Sequence, residues 1–350
     1  MSEGTTIQWA NHTGGSHFGC DPVSPGCVNC YAWKLAESRL EPLFRRAYKA
    51  AGFADWETRP VWGRNATRVL SKGFWKDAVR INKMHASRGS RGRWFPSMID
   101  WLDDMPGGII DLEGRKLEPA AVLADFLKLI HDTPNLDWLL LTKRPENWLK
   151  RLTAVWDEFH WEDYPGVEHE GSVTRFLRRW LSGEPPSNVW IGTSVEDQQR
   201  ADERIPELLK IPAAVRFLSV EPLLGAVDLK IDNHCNETSC SCAKIDWVIV
   251  GGESGAQARP CNVEWIRGVV KQCQSAGVAC FVKQVGTRPV CDCSMAVESF
   301  SSNCCEHFPF PIRHPKGGDM AEWPEDLRVR EFPKIDQGST ESRPTQKGGV

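Results

Sequence analysis

A chain of 350 residues with 41% apolar and 25% charged content has the balance of an ordinary globular protein and is long enough to bury a large α/β core. Its formal net charge of −3 argues against a general phosphate-binding surface. No run approaches the ~18 apolar residues that cross a bilayer, and the opening MSEGTTIQWA lacks the basic start and apolar stretch of a secretion signal, so no membrane partner and a cytoplasmic location are expected.

The first expected strand is 6–9 (TIQW), directly before a cysteine loop. Apolar runs at 94–98, 138–141, 189–191, 215–220, 247–250 and 279–282 are continuous, as in strands covered on both faces. Helical stripes fall between them. Val122, Leu123, Phe126, Leu127 and Ile130 follow Pro119. Trp148, Leu149, Leu152, Val155, Trp156 and Phe159 follow Pro145, which suits a first helical turn. Ala201, Ile205, Leu208 and Leu209 form a third stripe. Val263, Ile266, Val269, Val270 and Cys273 form a fourth, capped by Asn262 and stopped by Gly277. This alternation implies βαβ units and a parallel sheet, as a barrel or a doubly wound sheet.

Each strand is followed by polar residues. Asp100 comes after the second, Thr142, Lys143 and Arg144 after the third, Thr193, Ser194 and Glu196 after the fourth, and Ser219 and Glu221 after the fifth. Gly251, Gly252 and Glu253 follow the sixth, and Lys283 and Gln284 the last. Barrels place their active sites at strand C-terminal ends. Simple capping explains any one of these positions, but their recurrence points to a shared polar site. The expected cofactor contacts are Thr142, Lys143, Thr193, Ser194, Ser219, Glu221, Gly251, Gly252 and Glu253.

The motif Cys20-DPVSPG-Cys27-VN-Cys30-Tyr31 places three thiols within eleven residues, with Pro22, Pro25 and Gly26 to turn the loop back. Close cysteines in a reducing compartment tend to bind metal. Three thiolates on a [4Fe–4S] cluster leave one iron open. Structural zinc completed by His12 or His17 is the competing reading, level with the cluster on spacing alone. Reduced thiols without metal come third.

The stretches TIQWANHT, GCDPVSPGCVNCYA, LLLTKRPENW, VWIGTSVEDQQRADERIP, RFLSVEPLLG, DWVIVGGESGAQARP and FVKQVG, with DMAEWPEDLRVREFP near the end, resemble a phage and prophage family of unknown function described by its three-cysteine motif. That family is similar to radical S-adenosylmethionine (SAM) partial barrels of the spore photoproduct lyase type. The resemblance implies an α/β, parallel-stranded, TIM-type partial barrel of the radical SAM kind with Cys-rich loop insertions. It also implies that Cys20, Cys27 and Cys30 ligate a [4Fe–4S] cluster whose open iron holds SAM, that the sulfonium is cleaved to a 5′-deoxyadenosyl radical, and that Gly251, Gly252 and Glu253 lie by the site. The cysteines are spaced six residues then two, where the commonest radical SAM spacing is three then two, and the aromatic residue stands after the last cysteine as Tyr31. Around 11–18, glycines replace an apolar stretch, so a more flexible loop is expected there.

Cys235, Cys240 and Cys242 in one loop, and Cys291, Cys293, Cys304 and Cys305 in another, are expected to gather at least four sulfurs in an auxiliary iron–sulfur or zinc site. Separate zinc turns or unligated thiols are the alternatives. Cys261, Cys273 and Cys280 fit core positions. The expected organisation is a barrel over 1–287 with insertions at about 157–186 and 232–244, a Cys-rich extension over 288–333, and a disordered polar tail over 334–350. The basic run RGSRGR at 88–93 reads as a solvated loop, with nucleic-acid contact as the alternative. The expected function is a radical SAM-like enzyme with an electron donor and an unknown substrate, nucleic acid by analogy. The alternative is a non-enzymatic zinc module contacting nucleic acid or a protein partner.

Overall fold

The computed structural model describes residues 5, 7–158, 173–231, 243–291 and 312–334. Seven strands form one sheet: β1 (His12–Thr13), β2 (Gly92–Phe95), β3 (Leu136–Thr142), β4 (Val189–Ser194), β5 (Val215–Val220), β6 (Trp247–Gly251) and β7 (Ala279–Gln284). Their spatial order is their chain order, and every neighbouring pair is parallel. A doubly wound sheet needs a reversal of order. This sheet has none, and it curls into a half-barrel.

Strand alternation explains why the apolar runs read as continuous. Trp138, Leu140, Ile191, Leu218, Val220, Val248, Val250 and Val282 face outward into the main core. There they meet the helices Pro119–Asp132, Trp148–Glu158, Gln198–Lys210 and Val263–Ala276. Leu139, Trp190, Phe217, Trp247, Ile249 and Phe281 face inward with Trp9 and Phe95. The inner rings pack edge-on, with centroids 4.7 Å apart for Trp9–Phe95, 6.0 Å for Trp190–Trp247 and 6.2 Å for Trp247–Phe281. Such pairs contribute about 0.5–1.5 kcal/mol each beyond their area. Outside, Trp94 and Trp138 lie 5.6 Å apart, both against Phe74. Of the sixteen tryptophans, three fill the inner surface and six, Trp94, Trp101, Trp138, Trp148, Trp180 and Trp323, are buried in the main core outside it.

The C-terminal segment ties the two sheet edges together. Val282 N–H donates to Val329 O (2.9 Å) and Glu331 N–H to Cys280 O (2.8 Å), adding an antiparallel stretch beside β7. Arg330 then reaches Gln8 (3.0 Å), near the opposite edge. Phe332 packs on Trp247 and carries the Arg93 guanidinium 4.1 Å over its ring.

Several expectations change. The first strand is at His12–Thr13 rather than 6–9, and β2 stops at Phe95, with Met98 at φ 70°. The glycine-bearing stretch after Asn11 is built into two sheets: His12–Thr13 pairs with β2, and His17–Phe18 pairs with Arg68–Leu70. This second, four-stranded sheet also includes Ile109–Ile110 and Lys116–Leu117. With the helices Tyr31–Leu35 and Glu41–Ala50 it surrounds a small core of Phe44, Tyr48, Val69 and Ile110. Within the expected 157–186 insertion, helix Val173–Leu181 buries Leu177 and Trp180 in the main core. In the basic run, Arg91 pairs with Asp137 (2.6 Å) and Arg93 donates to Trp9 O (3.1 Å), so both are tied to the fold. Among the described residues, no helix is long and apolar enough to cross a membrane. Phe159, Cys235, Cys240, Cys242, Cys293, Cys304 and Cys305 lie outside the described residues, as does 335–350, and Cys291 is half-buried.

Candidate functional site at the cysteine loop

The cysteine loop crosses the C-terminal end of the half-barrel. Pro25–Cys27 forms a 3₁₀ turn in which Cys27 N–H donates to Ser24 O (2.9 Å) and Cys30 N–H to Cys27 O (3.2 Å). Cys30 then opens the helix Tyr31–Leu35. Cys20 and Cys30 both pack on the small core.

Three strand ends grip this loop. After β3, Arg144 donates to Asp21 O and lies 3.9 Å from Cys20 Sγ. Its guanidinium is held by Asp100 (2.8 Å), which also accepts from Thr142 Oγ1 (2.7 Å) and Lys143 N–H (2.9 Å). After β4, the fully buried Glu196 accepts from Ser24 Oγ (2.6 Å) and pairs with Lys143 and Arg204 (2.8 Å to Arg204). After β6, Glu253 accepts from Asn29 Nδ2 (3.1 Å) and from Arg259 at its backbone N–H and guanidinium (2.7–2.9 Å). Arg259 in turn donates to Pro25 O (2.9 Å).

The electrostatics follow from burial. Burial pushes the Cys20 thiol up, Asp100 adds to the shift, and Arg144 opposes it. Burial also raises Cys30, against the backbone N–H groups of Trp33 and Ala32. Burial works to raise Glu196, but Lys143 and Arg204 outweigh it and hold the carboxyl below its ordinary value. For Glu253, burial is likewise outweighed by its bonds to Arg259 and Asn29.

The donor chemistry suits a metal–thiolate centre: three sheltered thiols on one loop, with Arg144 beside Cys20 and Lys143 acting on Cys30. The side chains are not closed around one. Cys20 Sγ points at Asp21 O (3.6 Å) and Cys27 Sγ at Ser24 Oγ (3.7 Å). Among the described residues, no group of three or more His, Cys, Asp or Glu is arranged to hold a metal ion. Of the histidines weighed for zinc, His12 meets His85 (3.0 Å) and His17 meets Ser16 (3.0 Å).

The expected cofactor residues divide between the two faces of the sheet. Thr142 and Thr193 continue the outer rows of Leu140 and Ile191, and Thr193 Oγ1 donates to Thr142 O (3.0 Å). A Cβ on Gly252 would meet Val285 O and Cys261, both on that outer side. Ser194, Ser219, Glu221 and Gly251 continue the inner rows of Trp190, Phe217 and Ile249. Lys143 and Glu253 are engaged with the loop. Arg204, Asn29, Ser24 and Arg259 were not anticipated. The one local signal was Arg204 itself, a charged residue in the Ala201, Ile205, Leu208 stripe.

Neither a curated protein nor a solved structure matches the chain. Residues 4–299 match the sequence profile of a family described as "Protein of unknown function (DUF5131)", and the chain belongs to that family.

Proposed function

We propose that Cys20, Cys27 and Cys30 hold a [4Fe–4S] cluster with one open iron, and that the protein is a radical SAM-like enzyme of the partial-barrel kind. The observation that carries this reading is position. One loop brings three thiols to the C-terminal end of a sequential parallel half-barrel, where barrel enzymes do their chemistry. A cluster bound there supplies one-electron reduction of the SAM sulfonium. Arg144 and Lys143 favour the thiolate forms that ligation needs. Because burial holds the Cys20 and Cys30 thiols protonated, loading the site releases protons and strengthens as pH rises. Ser194 and Ser219 offer hydroxyls on the inner face. The electron donor and the substrate are partner molecules of this reading, with nucleic acid as the substrate class drawn by analogy.

The test is anaerobic purification of the full chain with iron and sulfide analysis, then reaction with SAM and dithionite. The expected outcome is brown protein that forms 5′-deoxyadenosine, and loss of iron at this site when Cys20, Cys27 and Cys30 are all changed to Ala. Colourless protein carrying stoichiometric zinc would overturn the reading in favour of a structural zinc module.

A further inference from the structure

We infer that Arg151, on the helix Trp148–Glu158, binds a small monovalent inorganic anion of halide or nitrate size. The inference does not depend on the metal reading. Only 7% of the Arg151 surface is open. Among the described residues, its Nε and Nη2 are nevertheless buried with no hydrogen-bond partner. Arginine does not shed its proton to escape burial. A covered guanidinium therefore calls for a matching negative charge and for acceptors of its N–H groups.

The acids around Arg151 are already engaged. Asp100 pairs with Arg144 (2.8 Å), Asp103 with the fully buried Arg68 (2.5 Å), and Asp104 with Lys150 (2.9 Å). Asn147 fixes the start of the same helix on this segment, donating to Leu102 O (3.2 Å) and Asp104 (3.3 Å). Four cations, Arg68, Arg144, Lys150 and Arg151, thus share three carboxylates, and the charge left without an ion pair is that of Arg151. Burial lowers the Arg151 pKa from its ordinary value although Asp104, Asp103 and Asp100 all oppose it, as expected where neighbouring acids fall short of full compensation. Two further nitrogens here are buried without a partner among the described residues: Nε2 of His17, which feels the charge of Arg151, and Nε1 of Trp148, three residues earlier on the same helix face. An indole N–H can only donate. The region is therefore short of acceptors and of negative charge; an anion supplies both, and water only the first. The small opening at Arg151 suits an ion rather than a phosphate ester or a peptide carboxylate.

The experiment is thermal unfolding of the full chain at fixed ionic strength while sodium gluconate is replaced by sodium chloride, bromide or nitrate. The expected result is a saturable rise in the midpoint of roughly 3–6 °C for each small anion. The rise should persist in Lys128→Met, which removes an exposed surface cation, and vanish in Arg151→Met. A crystal of the unaltered chain grown in bromide should show an anomalous peak within hydrogen-bond reach of the Arg151 guanidinium, which carries the test even where the variant fails to fold. Equal midpoints in gluconate and chloride, a rise retained in full by Arg151→Met, or a bromide crystal with water alone at Arg151 would overturn the proposal. Running the melts on chelator-treated protein as well keeps the outcome separate from that of the cluster reading.

Discussion

A methyl group at Gly26 tests whether the loop is held to the sheet as described. Gly26 lies outside the left-handed region, so alanine meets no backbone strain there. Its Cβ would stand 2.4 Å from Glu196 Oε1 and 2.5 Å from Cγ. Glu196 is fully buried and fixed by Ser24, Lys143 and Arg204, so it cannot swing aside without leaving charged partners unpaired. Either that network distorts or the loop lifts. Overpacking of this kind costs about 1–3 kcal/mol. In urea melts, Gly26→Ala should lower the midpoint at unchanged slope, and the metal loading proposed at Cys27 should weaken with it. Gly268 is the matched control. It lies in helix Val263–Ala276, and a Cβ there meets nothing within 4 Å. Gly268→Ala should therefore stabilise by about 0.5–1 kcal/mol. Gly26→Ala with an unchanged midpoint and unchanged metal content would refute the clamp.

Three further outcomes are expected. Arg144→Met removes the cation nearest Cys20 and leaves the buried Asp100 without its partner; it should cost about 3–5 kcal/mol in denaturant melts, and a loss below ~1 kcal/mol would contradict that role. His17 is held neutral, its pKa lowered from 6.5 to about 3 by burial and then by Arg68 and Arg151. The unfolded chain therefore binds the extra proton first, so stability falls as pH drops from about 6.5 towards 3, by up to ~1.4 kcal/mol per pH unit. His17→Gln should flatten that profile, and an equally steep one would contradict the assignment. Phe332→Ala, at an exposed ring that packs on Trp247 under Arg93, should cost about 1 kcal/mol and shift the emission of Trp247; unchanged emission would count against closure by the C-terminal segment.

How much of this was legible in the sequence depends on the length scale of each feature. β3 to β7 were visible because both faces of each strand are buried, leaving long apolar runs. β1 and the strands of the four-stranded sheet are only two or three residues long, too short to show a period, and they exist through pairings distant in the chain. Helix Lys72–Ser87 was missed because its fully buried face is only Phe74, Ala78 and Ile81. The cysteine loop was legible from local spacing. Its anchors were not: Ser24 and Glu196 are 172 positions apart, and Asn29 and Glu253 are 224 apart.

That distance changes the meaning of the strand-end acids. In sequence, Asp100, Glu196, Glu221 and Glu253 all follow strand ends, and Glu221 and Glu253 are the two expected among the cofactor contacts. In the fold, three of them hold the loop: Asp100 through Arg144, Glu196 through Ser24, and Glu253 through Asn29 and Arg259. Each is a buried or half-buried carboxylate whose charge is matched and whose oxygens are occupied, the condition under which an ionised group is kept out of water at tolerable cost. The loop between them carries two prolines and turns tightly, with little apolar surface of its own, so its position over the sheet depends on these polar anchors. Glu221 departs from the pattern. Its Oε1 lies 3.0 Å from the Lys283 ammonium and, among the described residues, makes no hydrogen bond; a Cβ on Gly251 would stand 2.8 Å from it. Its ion pair with Lys283 ties the end of β5 to β7 across β6, so this strand-end acid braces the sheet where the other three brace the loop.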